Sequence, residues 1–389
     1  MVRSLEIDID ARVMRAELLD GSVLLLPIPR VMRASSVVSR SQLHVEPQTL
    51  TLTLDDGEKL EVDIGVSRQV ASTNVPIVYL DQLHWISLAQ YLWAPERLRA
   101  SEREAAEIMI GLAREQRVRL PVASAHLTEL PPVAGRRRRD LAVTILGLCR
   151  GWQMQSPIRI RAEEYLASIL GQAPVASRVF TLQPGVLFTE GPEPPALMQG
   201  VPVHLAEMIS RVVAVSAVYA AVLDDEPPDM GEGRAAAERW AASFAPLAAY
   251  MRERRMGEEH VRLNAHARFI DDQRLELAQA AARAGISPEQ LAEWLADQLP
   301  AELTRMPYVG RLSEVLYLRL RNADERWEAN DLNDLNFLCA AAGYADITIG
   351  EKKTIEYLRR AESRVPPGSQ LCRQLSEAVG LLNASEITL

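Results

Sequence analysis

Cysteine is scarce: Cys149, Cys339 and Cys372 are the three in 389 residues, and they lie far apart. They fit no zinc-ligand spacing and no disulfide framework, which suits a reducing, cytoplasmic compartment. Lysine is scarcer for a chain of this size. Lys59, Lys352 and Lys353 are the only ones, and every other basic residue is arginine. That skew reads as the imprint of a GC-rich bacterial genome and carries no function by itself. Long apolar runs are missing too. No stretch of about 18 uncharged apolar residues occurs, so no membrane span is expected. The stretch from Met1 to Asp10 has acids where a secretory signal would have a basic start and an apolar run. Positive charge is in deficit, 43 Lys plus Arg against 52 Asp plus Glu, for a formal charge of −9. A surface of that sign does not coat nucleic acid indiscriminately, although it leaves room for a local basic groove.

What is present changes texture along the chain. The length predicts two or three domains at about 150 residues each. Residues 1–72 read as a small β domain of about six strands. Asp20-Gly21 and Asp56-Gly57 mark hairpin turns, and residues 49–54 and 59–64 alternate apolar with polar. A polar stretch, 67–74, reads as a linker. The run VPIVYL (75–80) is continuously apolar, as in a strand buried on both faces of a parallel sheet. A helix over 83–92, a helix over 102–116, a short strand over 119–122 and a helix start at Ser124 follow, giving an α/β alternation. From about 138 to 321 the periodic segments are helical, at 205–222, 234–255, 259–284 and 288–299. Ser287, Pro288 and Gln290 form a helix-start signature. The α/β texture then returns, with a helix over 330–342, a strand over 347–349, a helix over 351–361 and a last helix over 370–382. The implied division is 1–72, 75–155, a helical insertion over 156–304, and 305–389.

Acids stand where this pattern has no need of them. Asp81 follows the buried strand, and in open α/β sheets ligands bind outside the carboxyl ends of strands. Glu129 falls in SAHLTEL, on the helix after the second strand. Asp331 and Asp334 are three apart in NDLNDLNFL and share one helix face. Asp346 and Glu351 bracket the strand 347–349. If the sheet is parallel, Asp81 and Glu351 meet at one edge. Such carboxylates need a compensating charge, and oxygen-only ligand sets suit Mg²⁺ or Mn²⁺. The chemistry that follows is metal-assisted phosphodiester hydrolysis.

Each acid also has a plainer reading. Asp81 suits a helix N-cap, Glu129 a solvated helix acid, Asp331 a cap, Asp346 a turn anchor and Glu351 a first-turn acid. His126 lies three before Glu129, placed to orient it or a phosphate, or else simply buried. Arg136, Arg137, Arg138 and Arg139 form a run. Residues 136–161 hold seven arginines against one acid, a balance suited to phosphate contact or to a solvated helix start. His84, Arg319 and Arg321 are weaker candidates. Trp240, Phe244, Tyr250 and Phe269 read as core.

The segments YLDQLHWISLA, LPVASAHLTEL and NDLNDLNFLCAAAGYADITIGEKKTIEYL together resemble the PIN-like nuclease family, over about 75–155 and 305–365. The resemblance implies a PIN-like parallel sheet flanked by helices, interrupted by the helical insertion and preceded by the β domain. It implies a Mg²⁺- or Mn²⁺-dependent ribonuclease of toxin or defence type, acting on RNA or on DNA. Asp81, Glu129 and Asp334 match the family's first three acids, with Asp331 close to the third. Glu351 matches the last, where many members have Asp, and Asp346 matches an acid found in a subset. The metal set would be Asp81, Asp334, Asp346 and Glu351. A protein inhibitor or partner on the β domain, and pairing of two copies, are further expectations. The alternative is a catalytically degenerate scaffold of the same fold.

Overall fold

The computed structural model describes residues 2–8, 11–27, 37–46, 48–64, 75–130, 135–182, 186, 203–223, 231–322, 325–366 and 368–386. The expected linker, 67–74, lies outside them. Six strands open the chain: β1 Val2–Asp8, β2 Val13–Leu18, β3 Val23–Pro27, β4 Val38–His44, β5 Thr49–Leu54 and β6 Lys59–Asp63. They form one antiparallel sheet in the order β3-β2-β1-β4-β5-β6. Alternation decides which face is buried. Leu50, Leu52 and Leu54 of β5 and Leu60 and Val62 of β6 turn inward, and the threonines between the leucines are half-buried. Gly57 closes the β5–β6 hairpin at φ 86°, a conformation that glycine reaches without strain.

The remaining elements are β7 Val78–Leu80, α1 Gln82–Trp93, α2 Ala100–Arg114, α3 Ser124–Thr128, α4 Arg136–Cys149, β8 Gln153–Met154, α5 Pro157–Ile169, β9 Phe180–Thr181, α6 Val203–Leu223, α7 Gly231–Glu253, α8 Glu258–Asp272, α9 Arg274–Ala284, α10 Pro288–Asp297, α11 Leu299–Glu302, α12 Val309–Arg321, α13 Asn330–Tyr344, β10 Ile347–Ile349, α14 Lys352–Ala361, β11 Gln370–Cys372 and α15 Leu375–Glu386. The chain is therefore mixed α/β, with an antiparallel sheet first and a small parallel sheet after it. Among the described residues no helix is long and apolar enough to cross a membrane.

The parallel sheet has the order β11-β10-β7. Ile347 pairs with Val78, and Ile349 with Leu80. Single parallel bridges extend it, Ile77 to Arg119 and then Val122 to Gln153. The expected strand over 119–122 is thus present as two bridges. Residues 370–372, expected to begin a helix, instead add the strand β11 to the sheet, and the helix starts at Leu375. From β7 the chain steps one way through 119–122 to β8, and the other way to β10 and β11. The order reverses between β7 and β10, so the crevice outside their carboxyl ends is where a ligand is expected.

The sheet divides two cores. Val78, Leu80, Ile347, Ile349 and Cys372 face one that contains residues of α1, α2, α4, α6, α15 and the N-terminal sheet. Tyr79 faces the other, with residues of α5, α7, α8, α12, α13 and α14. The first six strands are therefore not an appendage, because they share a core with the helices over the parallel sheet. Hydrogen bonds pin that contact, between the Ser41 and Ser216 hydroxyls (2.8 Å) and from Arg211 to the Ile64 carbonyl (3.1 Å).

Local rules hold in places and yield in others. Ser287 and Gln290 make the reciprocal cap that their spacing predicts. The helix expected over 259–284 breaks at Gln273, whose buried side chain accepts the Tyr165 hydroxyl at 2.5 Å. Phe244 and Phe269 are buried as expected, and Trp240 packs at the edge of the same core. Tyr250 is 44% exposed instead, with the Arg254 guanidinium over its ring. The helix α13 continues one residue past Gly343, where a Cβ would lie 2.8 Å from the Pro307 carbonyl carbon and 2.9 Å from its oxygen. Gly343→Ala is therefore expected to lower stability by about 1–3 kcal/mol, the usual cost of overpacking, read as a fall in Tm. An unchanged Tm would show that Pro307 gives way freely.

Candidate functional site

The parallel register brings Asp81 and Glu351 to one edge, as the strand pattern predicts. The Asp81 N–H donates to the Ile349 carbonyl at 2.9 Å, continuing the ladder. Its carboxylate accepts the Gln82 N–H at 2.8 Å. Asp81 is thus the N-cap of α1 and also a bridge between the ends of two strands. Burial raises its pKa, and the Glu351 charge adds to the effect.

Two more carboxylates meet it. Glu129 is the C-cap residue of α3, just past the helix on which it was expected. Burial, then the charge of Asp81, pushes its pKa up to about 7. Asp334 sits in the early turns of α13 and is pushed up to about 8. Burial is the largest cause, followed by the charges of Asp81, Glu129, Asp331 and Glu351. Beneath them lies Tyr79, which the sequence pattern did not single out. Its phenol is held far above its ordinary pKa by burial and by Asp81, Glu129 and Asp334. Its position two residues before Asp81 was the available signal, since i and i+2 share a strand face.

Other expected site residues have different work. Asp346 is exposed at the amino end of β10, and its carboxylate accepts the Ile77 N–H at 2.7 Å. Strand polarity puts it at the opposite edge from Asp81, so it does not belong to a metal set there. Asp331 is bound by Arg319 at 2.9 Å and by the Glu328 N–H at 2.6 Å, so it reaches Asp334 only through its charge. Glu351 is exposed at the rim.

His126 is 1% exposed; its Nδ1 accepts the Ala123 N–H at 3.0 Å and its Nε2 faces the Leu80 carbonyl at 2.8 Å. With Nδ1 accepting, Nε2 carries the proton and donates. Burial pushes its pKa down to about 4, so it is a neutral staple between α3 and β7, closed to substrate. His84 is likewise buried, with its pKa pushed down to about 4.

The arginine run divides. Arg138 is buried and donates to the Val222 carbonyl at 3.1 Å. Arg139 pairs with Asp55 at 2.9 Å and Asp56 at 2.5 Å, across to the β5–β6 hairpin. These two join α4 to its neighbours and do not face a substrate groove. Arg136 is 86% exposed with a loose 3.9 Å approach to Asp140, and Arg137 is exposed. Arg319 is buried, and Arg321 pairs with Glu258 at 3.3 Å.

Among the described residues no basic side chain contributes to the pKa of Asp81 or of Glu129. Hard oxygen donors in such a place fit Mg²⁺ or Mn²⁺ in kind. Among the described residues, however, no three His, Cys, Asp or Glu side chains are arranged as a complete metal-holding group. Comparisons with family models, with curated proteins and with solved structures found no match for this chain.

Asp334 and Glu129 hold protons in the folded state that the unfolded chain releases near pH 4. Stability present at low pH is therefore lost as pH rises toward 8. Asp334→Asn is expected to raise the metal-free Tm relative to wild type at pH 8, and not at pH 4.5. Equal differences at both values would show that Asp334 ionises normally. His126→Ala orphans the buried Ala123 N–H and Leu80 carbonyl. It should cost about 1–3 kcal/mol for each, seen as a lower denaturation midpoint.

Proposed function

We propose that this chain is a PIN-like, Mg²⁺- or Mn²⁺-dependent ribonuclease, with DNA as the other substrate class. The observation that carries the reading is the convergence of Asp81, Glu129 and Asp334. Three half-buried carboxylates meet at one edge of a parallel strand pair: the charge of Asp81 raises the pKa of Glu129, and the charges of both raise that of Asp334. Their order along the chain and their place at the sheet's reversal point support the same reading. Mg²⁺ keeps several waters and needs only one or two carboxylates, so a pair of side chains without a complete protein ligand set suits it. Asp81 and Asp334 would hold the cation, with Glu351 at the rim. When bound, it would neutralise charge developing on a phosphoryl group.

The chain's own groups supply the rest. The Glu129 carboxylate, with its pKa near 7, is tuned to take a proton from an attacking water at neutral pH. Tyr79, buried beside the acids and held far above its ordinary pKa by them, stays neutral. Arg136 and Arg137 are the exposed members of the arginine run, free of the clamps that engage Arg138 and Arg139, and would take the nucleic-acid backbone. Asp331 and His126 act through structure.

A purified chain with Mn²⁺ is expected to cut RNA, and Asp334→Asn to lower the rate at least about a hundredfold. Undiminished cleavage by that variant removes Asp334 from the chemistry. The second reading, a catalytically silent scaffold, rests on the lack of a complete metal-holding group among the described residues. It is separated by calorimetric titration with Mn²⁺. Heat that depends on Asp81 and Asp334 supports the nuclease, and its absence supports the scaffold.

A further inference from the structure

The two helices that bring acids to the site, α13 and α14, are joined by a buried cluster that the reaction does not use. Arg319, at the end of α12, is 3% exposed at its side chain, and Glu325, on the following loop, is 4% exposed. The Arg319 Nε donates to Glu325 Oε1 at 2.7 Å, and its Nη2 donates to Asp331 Oδ2 at 2.9 Å. Glu325 receives a second cation from the other side, Lys353 Nζ at 2.8 Å. The Tyr357 hydroxyl donates to its Oε2 at 2.9 Å, and Asn322 Nδ2 at 3.3 Å. One carboxylate thus ties the first turn of α13 to the first turn of α14. Asp331 lies three residues from Asp334, and Lys353 two from Glu351.

Energetics favour a positional role over a purely stabilising one. Arg319 and Lys353 balance Glu325 and Asp331, so the cluster is neutral. A buried ion network of this kind is often no more stable than apolar residues of the same volume, and its best-attested use is to fix register. The surroundings enforce the geometry. The Arg319 guanidinium lies 4.3 Å from the centre of the Trp327 ring, which stacks at 4.2 Å on Phe244 of α7. The helical insertion therefore reaches the acidic edge through this loop.

We propose that Glu325 is a positioning residue, holding Asp334 on α13 at a set distance from Asp81 so that the two can share a divalent cation. The inference rests on the reading of the acidic edge given above. Lys353 is the arm of the clamp that reaches α14, and at 47% exposure it can be changed without opening the core.

The test is a Mn²⁺ titration of the full chain at pH 8, read by calorimetry and by the rise in Tm. Wild type, Glu325→Gln, Lys353→Gln, Asp334→Asn and the nearby surface variant Arg321→Gln are compared. Removing partners that orient metal ligands costs about 10–100-fold in affinity. Glu325→Gln and Lys353→Gln are therefore expected to weaken Mn²⁺ at least about tenfold, and Arg321→Gln to leave it unchanged. The sign for Lys353 decides between mechanisms. If its charge acted only at a distance, removing a cation near the site would tighten Mn²⁺, whereas loss of positioning weakens it. Should Glu325→Gln fail to fold, Lys353→Gln alone carries the result. Wild-type affinity or tighter binding in Lys353→Gln overturns the proposal. If wild type binds no Mn²⁺, the acidic-edge reading falls and takes this inference with it. If wild type binds through Asp334 and the clamp variants match it, only the clamp is wrong.

Discussion

Like charges resist being gathered where water is partly excluded, and this protein gathers them at the edge formed by β7 and β10. The Gln82 N–H holds the Asp81 carboxylate, Glu129 ends a five-residue helix near it, and α13 delivers Asp334 from across the edge. None of these positions is stable for its own sake. The two hydrophobic cores on either side of the sheet supply the stability that this edge gives up. Clustered acids of this kind draw on stability held elsewhere in a fold.

Much of the scaffold was legible because it rests on period and punctuation. The alternation of Thr and Leu in β5, the apolar strand ending at Leu80, the strand Ile347–Ile349 and the Ser287 cap each follow from local chemistry. The meeting of Asp81 and Glu351 was legible from strand direction alone. The same rule should have separated Asp346 from them, since an acid before a parallel strand and an acid after it lie at opposite edges. His126 and Arg138 were misleading for another reason. A polar side chain on a helix looks available in sequence, and only three-dimensional neighbours show that it is spent on a backbone carbonyl. The Glu325 cluster was not legible, because its members come from α12, a loop, α13 and α14 and share no spacing.

The arginine-rich segment shows how composition misleads by addition. Summed over 136–161 it is strongly basic. In the fold, Arg139 and Arg150 are matched by Asp55, Asp56, Glu61 and Asp63 of the antiparallel sheet. The acids of the β domain and the arginines of α4 form one electrostatic seam. Part of the net negative charge is thus internal bookkeeping, and what remains for a ligand is a few exposed residues near the start of α4.

The Ile77 N–H and the Asp346 carboxylate that receives it are 269 positions apart in sequence. At about 5–20 residues per second of synthesis, the two strands that frame the acidic edge leave the ribosome many seconds apart. Until β10 arrives, β7 lacks that neighbour, and the Asp81 N–H lacks the Ile349 carbonyl that receives it. The acidic edge is thus completed only late in synthesis, after the long helical stretch between the two strands has been made.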